Sequence, residues 1–92
     1  MREAVLSREE VLALQADLLA HTQIQGVLCK AWPREQTPAG NTPLDEAVQR
    51  LLDRATAAVQ IRYAYDSHEW TDTLLNTPVG VRLVRCQHHP VS

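Results

Sequence analysis

The residues of this chain best suited to metal chemistry are a thiol and two imidazoles in the segment Cys86-Gln87-His88-His89. Thiolate and imidazole are ligands that zinc, copper and nickel accept in proteins. A structural zinc site takes four ligands, usually from two paired clusters, but Cys29 and His21 stand alone in the sequence. Cys86, His88 and His89 are therefore weak metal candidates, and we expect no metal and no other cofactor.

A histidine lies beside carboxylates in the segment Asp66–Glu69, which the sequence predicts to be the tip of a hairpin. An imidazole next to a carboxylate is a possible general base. Hairpin tips are ordinarily polar and solvated, and no nucleophile is identifiable near His68. The sequence therefore predicts no catalytic residue and a protein that is not an enzyme.

One carboxylate falls among aromatic residues, because strand alternation places Asp72 on the same face as Tyr63, Tyr65 and Trp70. Burial disfavours a charged carboxylate unless it has a partner, and such sites are functional candidates. These four residues are the predicted ligand pocket. A tyrosine hydroxyl or a backbone amide as the partner of Asp72, or a register that leaves Asp72 in water, are the structural alternatives.

Two arginines are predicted on the outer face of the same sheet, where Arg62 and Arg82 accompany Thr71 and Thr73. A basic face suits an acidic protein surface, a carboxylate ligand or an RNA. The aromatic residues are expected on the opposite face, which disfavours nucleic acid. Arg62 and Arg82 are predicted to contact a protein partner.

Two further residues are predicted partner contacts. Trp32 borders a Pro-rich loop, and tryptophan is a frequent interface anchor. Gln15 lies inside the apolar arc of the first predicted helix. It is interpreted either as an ordinary, partly exposed side chain or as a polar residue that sets register at a helix–helix seam.

The stretch from Val59 to Arg85, VQIRYAYDSHEWTDTLLNTPVGVRLVR, predicts three antiparallel strands. With Ser67-His68 at the first turn, Tyr65 faces Trp70 and Tyr63 faces Asp72. A four-residue loop over 66–69 is the alternative, so this register stays open. Pro78 and Gly80 predict the second turn, after which Val81 and Leu83 share one face and Val84 and Cys86 the other.

The residues before this stretch predict two helices. Ser7 and Glu10 form a capping box that starts the first helix, which runs to about Thr22. The helical pattern then loses phase, and 27–32 is predicted to be a second apolar cluster. Thr42 is the predicted N-cap of the second helix, with Pro43 at its first position.

The length, net charge and cysteine count of the chain indicate its class of protein. Ninety-two residues suffice for one domain, with a leader over 1–6, a Pro-rich loop over 32–42 and a polar tail over 87–92. A net charge of −2 and two cysteines favour neither nucleic acid nor a disulfide scaffold. No signal peptide and no membrane-spanning run are evident, which predicts a cytoplasmic protein. Eight arginines against one lysine, with no phenylalanine, suggest a GC-rich bacterial genome, and a small bacterial or phage protein is expected.

The predicted fold is α+β, with two N-terminal helices packed on a three-stranded antiparallel meander in the order ααβββ. The predicted function is that of a small cytosolic adaptor or regulator that binds another protein and forms a homodimer. A ligand- or metal-binding accessory protein is the alternative function, followed by a nucleic-acid-binding regulator.

Overall fold

A computed structural model describes residues 2–30 and 42–88. In chain order the elements are β1 (Arg2–Leu6), α1 (Arg8–His21), β2 (Gln23–Lys30), α2 (Leu44–Leu52), β3 (Ala58–Tyr65), β4 (His68–Thr77) and β5 (Gly80–His88). The strands form one antiparallel sheet in the order β1-β5-β4-β3-β2.

The predicted order ααβββ is wrong, because the described part of the chain already forms five strands of one sheet instead of three. The three predicted strands are present as β3, β4 and β5. The segment predicted to be a leader is β1, and the apolar residues after the first helix belong to β2. The strand β5 also includes Gln87 and His88, which were predicted to belong to the polar tail.

A β-bulge explains why β2 was missed. The register against β3 shifts between Ile24 and Gly26, so that Ile24, Val27 and Cys29 point to the same side of the sheet. An extra residue in a strand reverses the alternation of side chains beyond it. The apolar residues of β2 therefore do not follow the period of a strand along the sequence.

The strand β1 is held by its partner and not by its own composition. Its five residues pair with β5, with Ala4 opposite Leu83 and Leu6 opposite Val81. The short segment has weak alternation and a glutamate at its second position, Glu3. Pairing across 79 positions of sequence is a tertiary event that local patterns do not encode.

The helices begin with different capping arrangements. The capping box of α1 is confirmed: the Glu10 amide donates to the Ser7 hydroxyl at 3.2 Å, and the Ser7 amide donates to the Glu10 carboxylate at 3.1 Å. The prediction for α2 is wrong by one position, since Pro43 is the N-cap and Leu44 the first helical residue. Thr42 instead donates its backbone N–H to the carbonyl of Val27 at 3.1 Å, which ties it to β2.

The two helices contact each other and pack on the same side of the sheet. We call that side the helical face; it supplies the core together with residues such as Val11, Leu18, Val48 and Leu51 of the helices. Burial of this apolar surface is the main stabilising contribution to the fold. The other side, the open face, has none of the described residues packed over it. Its side chains include Leu28, Gln60, Arg62, Thr71, Thr73, Leu75, Arg82 and Val84.

The first hairpin turns one residue earlier than predicted. Asp66 and Ser67 are its central residues, both with positive φ (52° and 63°), so Tyr63 faces Trp70 and Tyr65 faces His68. Positive φ at both positions is the geometry that matches the twist of a two-residue hairpin. The second turn is confirmed, with Thr77 opposite Gly80.

Candidate functional site

A buried carboxylate on the helical face is the centre of the candidate site. Asp72 has no exposed surface, and Arg85 lies directly opposite it on β5. Arg85 donates from Nε to Oδ1 at 2.9 Å and from Nη2 to Oδ2 at 2.8 Å. The Tyr63 hydroxyl donates to Oδ1 at 2.9 Å. Three donors thus satisfy a charge that would be costly to bury alone.

The cluster also fixes the protonation of its other members. Burial raises the pKa of the Tyr63 hydroxyl well above its ordinary value, and the charge of Asp72 and the hydrogen bond to it act in the same direction. The hydrogen bond to Asp72 likewise raises the pKa of Arg85. Tyr63 is therefore a permanent hydrogen-bond donor, and Arg85 a permanent cation.

The four predicted pocket residues share the helical face, as expected, but their hydrogen bonds join them in two separate pairs. Tyr63 contacts Asp72, whereas Tyr65 is 50% exposed near the end of β3. The Trp70 indole donates to the backbone carbonyl of Tyr65 at 3.3 Å. At the hairpin tip, His68 Nδ1 lies 2.7 Å from the carbonyl of Asp66.

A groove of about 640 Å³ opens between α1 and the helical face of the sheet, beside this cluster. Arg85, whose side chain is 29% exposed, contributes to its lining together with Tyr63. Leu6, Leu14, Leu18, Leu83 and Tyr65 supply most of the apolar lining, and Glu10, Asp17, His21 and Thr22 supply polar groups from α1 and its end. The groove thus combines apolar walls with a few converging polar groups, which is typical of binding sites.

The open face carries the predicted partner contacts of the sheet. Arg62 and Arg82 are exposed on it, with Thr71 and Thr73 on the same side. The two arginines flank a central row, in which Val84, Thr73, Gln60 and Leu28 pair across four strands. Arg82 forms an ion pair with Glu3 of β1.

The metal candidates also lie on this face. Cys86 and His88 are two positions apart on β5 and therefore share the open face. The Nε2 atom of His88 lies 2.6 Å from the Thr71 hydroxyl. His89 lies outside the described residues. Within 2–30 and 42–88, no three histidine, cysteine or acidic side chains come close enough to hold a metal ion. Cys29, buried in the core, and Cys86 are free thiols.

Gln15 is partly exposed on α1, and its neighbours Leu12 and Leu19 are exposed apolar side chains. A helix–helix seam at this position stays a prediction. Trp32 and the Pro-rich loop fall outside the described residues, apart from Thr42.

Sequence reasoning missed Arg85 as the partner of Asp72. A signal was present, because a turn that pairs Thr77 with Gly80 places position 72 opposite position 85. It also missed the groove, for which the sequence holds no comparable signal, since the groove depends on where α1 crosses the sheet.

Comparison of the chain with protein families, curated proteins and solved structures finds no match in any of the three. None of the helices in the described parts of the chain is long and apolar enough to cross a membrane. The function is therefore inferred from the surfaces of the chain itself.

Proposed function

We propose that this chain is a non-enzymatic cytoplasmic adaptor or regulator that acts by binding protein, and that it forms a homodimer through its open face. The observation that carries the proposal is that, among residues 2–30 and 42–88, both helices pack on the helical face of the sheet and none of these residues covers the open face. Sheets that leave one face to water usually carry polar residues there.

The composition of the open face departs from that pattern. Leu28, Leu75 and Val84 are only partly buried on it, and Val5 of β1 is 58% exposed. These apolar side chains belong to four different strands and are interleaved with Thr73, Gln60 and Arg82. Partly exposed apolar side chains on a sheet face with no described residue packed over it favour its use as an interaction surface.

A second copy of the chain fits the size of this face. Five strands spaced about 4.8 Å apart, each some 20 Å long, give a projected area of roughly 500 Å². Side-chain relief raises the accessible area toward the ~800 Å² per partner of a standard interface. Two open faces stacked about 10 Å apart would bury each other through one two-fold axis.

Dimerisation also suits a chain of this length. A domain of 92 residues buries a smaller fraction of its surface than a larger one, and association is a common supplement to its stability. Arg62 and Arg82 flank the central row of the open face. Charges at an interface contribute more to the specificity for a partner than to the affinity.

The test is the mass of the native assembly. Native mass spectrometry and light scattering of the wild-type protein at micromolar concentration are expected to give twice 10.3 kDa. Val84→Lys, which places a charge on the β5 part of the open face, is expected to give a monomer with an unchanged circular dichroism spectrum. Ala20→Lys adds the same charge on an exposed position of α1 and is expected to leave the dimer intact.

A wild-type monomer at high micromolar concentration, or a dimer that survives Val84→Lys, would overturn the homodimer. The nucleic-acid alternative is separated by salt, because affinity for a nucleic acid falls steeply as salt increases. Binding to duplex DNA or to RNA that weakens in this way and disappears in Arg62→Glu/Arg82→Glu would favour that alternative instead.

A further inference from the structure

We propose that the groove between α1 and the sheet binds a peptide segment in which an apolar residue lies next to a lysine or arginine. The groove belongs to the helical face, so this site is independent of the dimer proposed through the open face. Its chemistry comes from three parts: a donor-rich floor, an acidic rim and apolar walls.

The floor donates hydrogen bonds without carrying net charge. The guanidinium of Arg85 has five N–H groups, of which Asp72 takes two. The Tyr63 hydroxyl is a further hydrogen-bond partner of Arg85, and the donors that neither residue takes are available where the Arg85 side chain is exposed to the groove. Because Asp72 balances the charge, the floor suits the neutral carbonyl of a peptide better than a carboxylate.

The rim is negative. Glu10 and Asp17 both line the groove from α1, seven positions apart and therefore on the same side of the helix. One Glu10 oxygen accepts from the Ser7 amide, whereas Asp17 has no hydrogen-bond or ion-pair partner among the residues that the structure describes. Two carboxylates on one side of a groove attract a cation and repel an anion.

The walls select an apolar group beside that cation. Leu6, Leu14 and Leu83 come from three different elements, and Tyr65 adds an exposed ring. A volume of about 640 Å³ lies within the range of about 300–1,000 Å³ that ligand sites occupy. A basic residue beside an apolar one, joined by a peptide carbonyl, matches the rim, the walls and the floor together.

The experiment is an NMR titration of the full chain labelled with ¹⁵N. The probe is N-acetyl-leucyl-arginine amide, and the matched control is N-acetyl-leucyl-glutamate amide. The arginine peptide is expected to shift, in a saturable way at millimolar concentration, the amide signals of four residues that line the groove: Ala13, Asp17, Leu83 and Arg85. The glutamate peptide is expected to bind at least roughly three-fold more weakly, because its charge is repelled by the rim.

Two exposed variants of α1 locate the site without disturbing the core. Asp17→Asn is expected to weaken binding of the arginine peptide by roughly three-fold and to narrow its advantage over the glutamate peptide. Ala13→Gln narrows the groove and is expected to weaken both peptides. Asp45→Asn, an exposed carboxylate in the first turn of α2, is the control and should leave the affinity unchanged.

Equal affinity for the two peptides would overturn the proposal, as would saturable shifts confined to other parts of the chain. An absence of shifts up to 10 mM peptide (about −3 kcal/mol of binding free energy) would overturn it equally. If Asp17→Asn bound the arginine peptide as tightly as the wild-type protein does, the acidic rim would not recognise the cation, and the proposal would be overturned.

Discussion

Arg85 faces Asp72 directly across the β4–β5 pair and donates two hydrogen bonds to a carboxylate that has no exposed surface. Tyr63 reaches the same carboxylate from β3, so three adjacent strands meet at one charge. A buried ion pair adds little stability over an apolar pair of equal volume, but its disruption is costly because one charge is left without a partner. The cluster therefore makes the interior sensitive to each of its members.

Removal of one partner should be far worse than removal of both. Arg85→Met is expected to lower the free energy of unfolding by about 3–5 kcal/mol, because Asp72 then stays buried without its cation. The double variant Asp72→Leu/Arg85→Met should recover most of that loss. Urea denaturation followed by tryptophan fluorescence measures the free energy of unfolding of Arg85→Met, Asp72→Leu and the double variant. A loss in the double variant equal to the sum of the losses in the two single variants would contradict the expectation.

Tyr63 should make stability fall in alkali. The pKa of its hydroxyl is raised in the folded state, so its contribution is complete below the ordinary value near 10 and is lost as the pH rises through the raised value. Above pH 10 the unfolded chain releases this proton first and gains stability relative to the folded chain.

The measurement is the urea midpoint between pH 8 and pH 11. Wild-type protein is expected to lose more stability over this range than Tyr63→Phe, which has no phenol to titrate. Tyr65→Phe is the matched control, since Tyr65 is half exposed and does not contact Asp72. An identical decline in wild type and Tyr63→Phe would assign the alkaline sensitivity to other groups.

A glycine in place of Ser67 in the first hairpin turn should stabilise the protein. Ser67 has a φ of 63° in a two-residue turn, a conformation that costs a residue with a side chain about 1 kcal/mol or more. Ser67→Gly creates the Asp-Gly pair that such turns favour and is expected to raise the free energy of unfolding by about 0.5–1 kcal/mol. Val79→Gly, at an exposed turn position without positive φ, should destabilise slightly.

The Asn76 side chain should stabilise the packing of β4 against the end of α2 and the segment that follows it. Its Nδ2 donates to the carbonyl of Leu51 at 2.8 Å and to that of Thr56 at 2.9 Å. Asn76→Asp replaces this donor with an acceptor and is expected to cost at least about 2–3 kcal/mol. Gln49→Glu is the surface control, because Gln49 bonds to Asp53 on an exposed turn of α2. If both variants lowered the free energy of unfolding by a similar small amount, the hydrogen bonds of Asn76 would not be important for stability.

Part of the fold could be predicted because the relevant physics is local. The Ser7/Glu10 capping box and the Thr77–Gly80 turn are complete within four residues, and both are found where the sequence places them. The alternation that assigns Tyr63 and Asp72 to the helical face also survives the one-residue error in the first turn. That shift changes the partner across the strands by two positions, and two positions restore the same face.

The sequence by itself thus determined the two helices, the meander of β3, β4 and β5, and the faces on which its aromatic and arginine side chains lie. The tertiary structure alone decided that Arg2–Leu6 and Gln23–Lys30 are the two edge strands, and that a groove forms where α1 crosses the sheet. The reason is physical: capping and alternation act between neighbours in the chain, whereas edge pairing and helix placement depend on surfaces that exist only after the chain has collapsed.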